Sequence, residues 1–164
     1  MPASGSGSDA PPAAPSAWCL RRVVLPQHTD HAGVMWHGSY LAWLEEGRVE
    51  ALAAAGLAYS DLAARGLELP VVSLAIDYRQ PLLHGDRVEL WSEALPRQGA
   101  RLPWRSRFLG PGGVLAAEAR VELVPVALAP GGEGRRLLRR LPEDLAEALR
   151  LLEAGPAGTD PSVA

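Results

Sequence analysis

SYLAWLEEGRVEALAAAG, residues 39–56, decides how the rest of this chain is read. Tyr40, Leu44, Gly47, Ala51 and Ala55 recur at helical spacing and fall on one stripe, while Glu45, Glu46, Arg48 and Glu50 are available for a polar side. Gly56 stands where a left-handed C-terminal cap is wanted. Two small residues, Gly47 and Ala51, sit inside the stripe, so the helix can lie close to whatever covers it. A short second helix is expected over YSDLAARG (59–66), ending at Gly66.

On both sides of this pair the period changes. Upstream, WCLRRVVL (18–25) reads as a first strand stopped by Pro26. Downstream of Pro70 the apolar residues alternate. Val72, Leu74, Ile76 and Tyr78 share a face opposite Ser73, Asp77 and Arg79. Val88, Leu90 and Ala94 repeat the pattern against Glu89 and Glu93, as do Leu102, Trp104 and Phe108 against Arg101, Arg105 and Arg107. Ala117, Ala119, Val121 and Leu123 alternate with Glu118, Arg120 and Glu122. HGD (84–86) and GPGG (110–113) supply turns between these half-exposed antiparallel strands. Pro103 has no N–H to give a neighbouring strand, which places its own strand at an edge or a bulge. LPEDLAEALRLL (141–152) reads as a terminal helix with Pro142 in its first turn. A strand, a long helix and then three or four antiparallel strands make an α+β arrangement, in which the sheet must curl around the helix to bury it.

At 164 residues and 48% hydrophobic, the chain has enough apolar surface for one ordinary core. A formal net charge of -3 gives no broad basic face for a phosphate backbone, so nucleic acid is not an expected partner. No apolar run approaches the roughly 20 residues that span a bilayer. The opening MPASGSGSDAPPAAPSA lacks the charged-then-apolar order of a secretory signal, and a cytoplasmic location is expected. Cys19 is the single cysteine, which excludes an internal disulfide and a multi-thiolate metal site; it reads as a small buried hydrophobe on a strand. All 16 Lys+Arg residues are arginine, so lysine Schiff-base chemistry and the lysine of a phosphate-binding P-loop are excluded. Residues 1–16 and 154–164 are rich in Pro, Ala, Ser and Gly and are expected to be disordered tails. Residues 128–153 read as a basic linker and the terminal helix.

The chemistry gathers just before the long helix. HTDHAGVMWHGSY (28–40) holds three of the 4 histidines. His28, Asp30 and His31 look like a fragment of a zinc site, but after His37 only His84 is left to complete one, so no metal is expected. Ser39 is not a nucleophile candidate, because HGSYL lacks the second glycine of a nucleophile elbow; it reads as the helix cap. Asp30 taken alone would cap a turn. His28 and His31 read as residues that orient the loop or bond its backbone. Trp36, Tyr40 and Trp43 either line a pocket or join the core. The cluster Arg135, Arg136, Arg139 and Arg140, like the arginine face of 101, 105 and 107, reads as solvated, with coenzyme A phosphates as a second option.

In this order the residues resemble the hotdog-fold acyl-CoA thioesterases of the 4-hydroxybenzoyl-CoA thioesterase type. The likeness covers roughly residues 18–126. It rests on the TDxxG turn with Asp30 and Gly33, the HxxY of His37 and Tyr40 entering the helix, Arg48, and a YxxP…GD pairing of Tyr78, Pro81, Gly85 and Asp86. The resemblance implies a hotdog domain over 17–127, a curled antiparallel sheet wrapped around one long central helix. It implies hydrolysis of an acyl-CoA thioester with Asp30 as the catalytic carboxylate and the backbone N–H near His37 polarising the carbonyl. A helix start suits that role, since it offers unpaired N–H groups and partial positive charge to a developing oxyanion. Gly33, Trp36, Gly38 and Tyr40 fall on the substrate side of this motif, and Glu46 stands near where other hotdog branches carry a helix carboxylate. No cofactor is implied. A homodimer or homotetramer is implied, with each active site at a subunit interface. The sequence departs from the pattern at His28, where relatives commonly carry a second aspartate. Two other readings stay open: a hydratase or dehydratase on the same fold, and a module that only binds acyl-CoA or a protein partner.

Overall fold

The amphipathic stretch forms an 18-residue helix and the alternating stretches form a five-stranded antiparallel sheet in the computed structural model, which describes residues 16–156. In chain order the elements are β1 (Trp18–Val23), α1 (His37–Ala54), α2 (Tyr59–Ala64), β2 (Leu67–Glu68), β3 (Val71–Tyr78), β4 (Arg87–Ala94), β5 (Leu102–Leu109), β6 (Leu115–Leu123), β7 (Val126–Leu128), β8 (Arg135–Leu137) and α3 (Glu143–Ala154). The main sheet runs β1-β4-β5-β6-β3, and α1 packs on β1 and β4. This is the expected α+β hotdog arrangement. The tails expected to be disordered fall on 1–15 and 157–164, outside the described residues, except for a few residues at their inner ends.

Every residue of the predicted α1 stripe is buried, and Trp43 and Leu52 join it. The small residues serve as expected: a Cβ built on Gly47 would lie 3.6 Å from Leu90 and 3.9 Å from Leu20 and Ser92, so the helix backbone runs close over β1 and β4. Phe108, Leu90, Val88 and Val121 meet the helix from the sheet. Burying each such side chain contributes roughly 1.5–3 kcal/mol. Helix α3 closes the far end, with Leu145, Ala148 and Leu152 in the core and the Trp18 indole N–H donating to the Leu152 carbonyl at 3.0 Å. Among the described residues no helix is long and apolar enough to cross a membrane.

Four expectations are corrected. Pro103 does not mark an edge: β5 is the middle strand of the sheet. The proline is tolerated because the β4 ladder ends at the Ala94–Trp104 pair, and past it only the Pro103 carbonyl is used, accepting from Leu95 N at 2.9 Å. Glu93, expected on the exposed face, is only 5% exposed and takes a hydrogen bond from Arg105 at 2.7 Å. The basic segment is more than a linker: β8 pairs with β7 in a small sheet of order β2-β7-β8, where Arg135 reaches Glu68 at 2.7 Å. Strands this short carry too few residues to show a period. Finally, β3 does not bury an apolar face. It is an edge strand, paired only with β6 among the described residues, and Val72, Leu74 (41%) and Tyr78 (53%) are exposed.

Candidate active site

The loop from Leu25 to Trp36 is strapped to the start of α1 by its own backbone. A 3-10 turn at Pro26–His28 opens it, and the His28 carbonyl accepts both Trp36 N at 3.1 Å and the Ser39 hydroxyl at 3.0 Å. Ser39 is therefore not the cap. The helix begins at His37 with Trp36 in the capping position, and Ser39 lies buried in the first turn as a tie to the loop. His28 acts as a loop-orienting residue: its Nδ1 accepts Leu25 N at 3.1 Å, and the ring meets Trp43 edge-on at 5.1 Å.

Asp30 sits in the tip of this loop. Its Oδ1 accepts Ala32 N at 2.9 Å and Val34 N at 3.1 Å, so the turn-capping role and a fixed carboxylate are the same arrangement. Its Oδ2 has no hydrogen-bond partner among the described residues. Gly33 closes the turn at φ +76°, a conformation that a side chain would strain, and its carbonyl accepts His84 N at 3.1 Å. The β3–β4 connection thereby braces the loop, and Asp86 Oδ2 in turn accepts Leu83 N at 2.8 Å.

Asp30, Trp36, His37 and Tyr40 line one cleft of about 670 Å³, whose opposite wall is Tyr78, Arg79, Gln80 and Pro81 at the end of β3. His31, Val34 and Met35 complete it. Neither His37 N nor Gly38 N donates to a protein group outside the helix among the described residues, as the first amides of a helix are free to do. Trp36 is 45% exposed and its ring lies across Gly38, where an added Cβ would fall 2.3 Å from it. Gly38 thus sets where Trp36 rests, although it does not line the cleft. Tyr40 is 2% exposed and stacks edge-on with Phe108 at 4.9 Å and Tyr78 at 5.0 Å. Burial, and then the neighbouring Tyr78, push its phenol up to about 12, so it keeps its proton at any physiological pH.

Glu46 is not brought to the cleft. It lies on the polar side of α1 and pairs with Arg22 of β1, which also reaches Glu50 at 3.2 Å. The far wall, Tyr78 to Pro81, is what sequence reasoning left out of the site. Its signal in the sequence is the YxxP spacing of Tyr78 and Pro81.

The model of the thioesterase-like superfamily matches residues 24–149, spanning the loop, α1 and the whole main sheet after β1. The chain belongs to that superfamily. Its relatives include a putative esterase, sll0410, of Synechocystis sp., 37% identical over 127 residues that cover 77% of this chain and 74% of that protein. A putative acyl-CoA thioesterase, YneP, of Bacillus subtilis is 33% identical over 93 residues, 56% of this chain and 66% of the relative. Among solved structures, the hypothetical protein TT1821 from Thermus thermophilus superposes with a TM-score of 0.71 at 35% identity, covering 82% of this chain and 98% of that one.

Proposed function

We propose that this superfamily member hydrolyses an acyl-CoA thioester to the free acid and coenzyme A in the cleft at the start of α1. One observation carries the reading: a carboxylate held by two backbone N–H bonds and the residue that opens a helix with an uncapped amide, His37, line one cleft. The thioester oxygen lies against the His37 N–H, which stabilises it as negative charge develops. Asp30 acts through Oδ2, either attacking the acyl carbon itself or taking a proton from the water that does. In both routes the C–S bond breaks and the thiolate leaves to be protonated as coenzyme A. In the first, water then cleaves the Asp30 anhydride. His37 at the cleft wall and the Tyr40 hydroxyl are the nearby groups able to donate to the acyl group, and Trp36 covers it.

The far wall of this cleft begins at the end of β3, an edge strand. We infer that a second copy of the chain pairs with that edge, covering Val72, Leu74 and Tyr78 and walling the cleft. The mass in solution is then a twofold or fourfold multiple of 17.4 kDa, read by light scattering.

The test is thiol release over a panel of aromatic, short-chain and long-chain acyl-CoAs, with Asp30→Asn beside the parent. Loss of kcat in the variant on the best substrate supports the assignment, and equal rates refute it. Loss of enoyl absorbance without thiol would instead reveal a hydratase, and ligand-induced stabilisation without turnover a binding module. Label found in Asp30 after single turnover in ¹⁸O-water identifies the anhydride route, with water attacking the Asp30 carbonyl.

A further inference from the structure

A second cavity, of about 210 Å³, lies further along α1 and shares no lining residue with the cleft. On the scale where one water needs roughly 10–15 Å³, this admits a chain of several carbons. Its apolar walls come from Leu52 on α1, Leu102 and Trp104 on β5, Leu123 on β6, and Leu149 and Leu152 on α3. Arg48 lines it too, eleven residues beyond His37, or about 16 Å along the helix.

Sequence spacing put Arg48 on the polar side, yet its Nη1 is buried and has no hydrogen-bond partner among the described residues. Leaving a buried charged donor unpaired is costly, and burial pulls the guanidinium below the usual arginine range, against the opposing pull of Glu45 and Tyr59. Those two groups also line the cavity. Glu45 is exposed. Tyr59 Oη accepts Leu69 N at 3.3 Å, so its own proton remains available to donate. The site therefore offers one cationic donor and one hydroxyl donor, beside the exposed Glu45 carboxylate, above apolar walls.

We propose that this cavity binds a carboxylic acid with an apolar chain, the chain lying among Leu52, Trp104, Leu123 and Leu149 and the carboxylate pairing with the Arg48 guanidinium. Hydrolysis of an acyl thioester releases an acid of this class, so the cavity is placed to sense product. That link rests on the hydrolase reading, whereas the binding does not.

The probe is octanoate, with octanamide as the uncharged isostere. Octanoate is expected to raise Tm with concentration and to change the emission of Trp104, a response that Trp104→Phe removes. Arg48→Gln is expected to weaken octanoate binding on the order of 10–100-fold and to leave the weak binding of octanamide unchanged. Leu149→Trp, which fills the cavity from α3, is expected to abolish binding while circular dichroism stays that of the parent. Asp30→Asn is expected to bind octanoate as the parent does, which separates this site from the catalytic cleft. Octanoate binding that is absent in the parent, equal for octanamide, or intact in both Arg48→Gln and Leu149→Trp overturns the proposal.

Discussion

The first turn of α1 and its middle share one helix and differ in nearly everything around it. At His37 the helix faces a cleft that Asp30 and His31 share, and the opposite wall begins at the end of β3, an edge strand paired on one side only. At Gly47 the backbone lies close to β1 and β4, with Leu90, Leu20 and Ser92 at ordinary van der Waals distance from an added Cβ. The contrast teaches that the helix is held by one half and leaves the other half for chemistry. Substitutions at the two ends should then move different observables.

The largest effect is expected at the open end. Asp30→Asn should lower kcat on the order of 10²–10⁴-fold, the range of a positioned proton-transfer group. Its Tm should stay close to the parent's, since the amide oxygen can still accept the two loop N–H bonds; a collapse of Tm would make Asp30 a structural residue. In the middle, Gly47→Val should cost about 1–3 kcal/mol in denaturant unfolding, because its extra methyls overpack Leu90, Leu20 and Ser92. Gly47→Ala fits in the contact available and should be neutral or stabilising by up to about 1 kcal/mol, from helix propensity. Equal losses for the two variants would break the claim of close approach. The smallest change in stability is expected for Gly38→Ala. The added methyl displaces only the exposed Trp36 ring, so Tm should hold while KM for acyl-CoA rises several-fold.

What was legible in the sequence follows this division. The α1 stripe was readable because burial on one helix face leaves a period of 3.6, and β4, β5 and β6 because burial on one sheet face leaves a period of two. Pro103 misled because its cost depends on where β4 stops, a fact about a different segment. Arg48 misled in the same way: its spacing is that of a surface residue, and only the packing of α3 and β5 beside it makes a cavity there. Within the site, Asp30, Gly33 and His37 were legible as a motif, and the loop does hold them at the start of α1. Glu46 was not separable from them by pattern, since its partner Arg22 comes from β1. The Trp36 ring over Gly38 was beyond pattern altogether, because it depends on a side-chain rotamer.

The edge strand β3 also carries a cost for production of the chain. VVSLAIDY is β-prone, carries a single charge and contains no proline, the profile of a segment that can stack into cross-β fibrils. The folded chain leaves this strand at a sheet edge, with Val71, Val72, Leu74 and Tyr78 exposed. The yield of the protein is therefore a race between folding and aggregation, and slow production or a chaperone that shields the segment would tip the outcome towards the native fold.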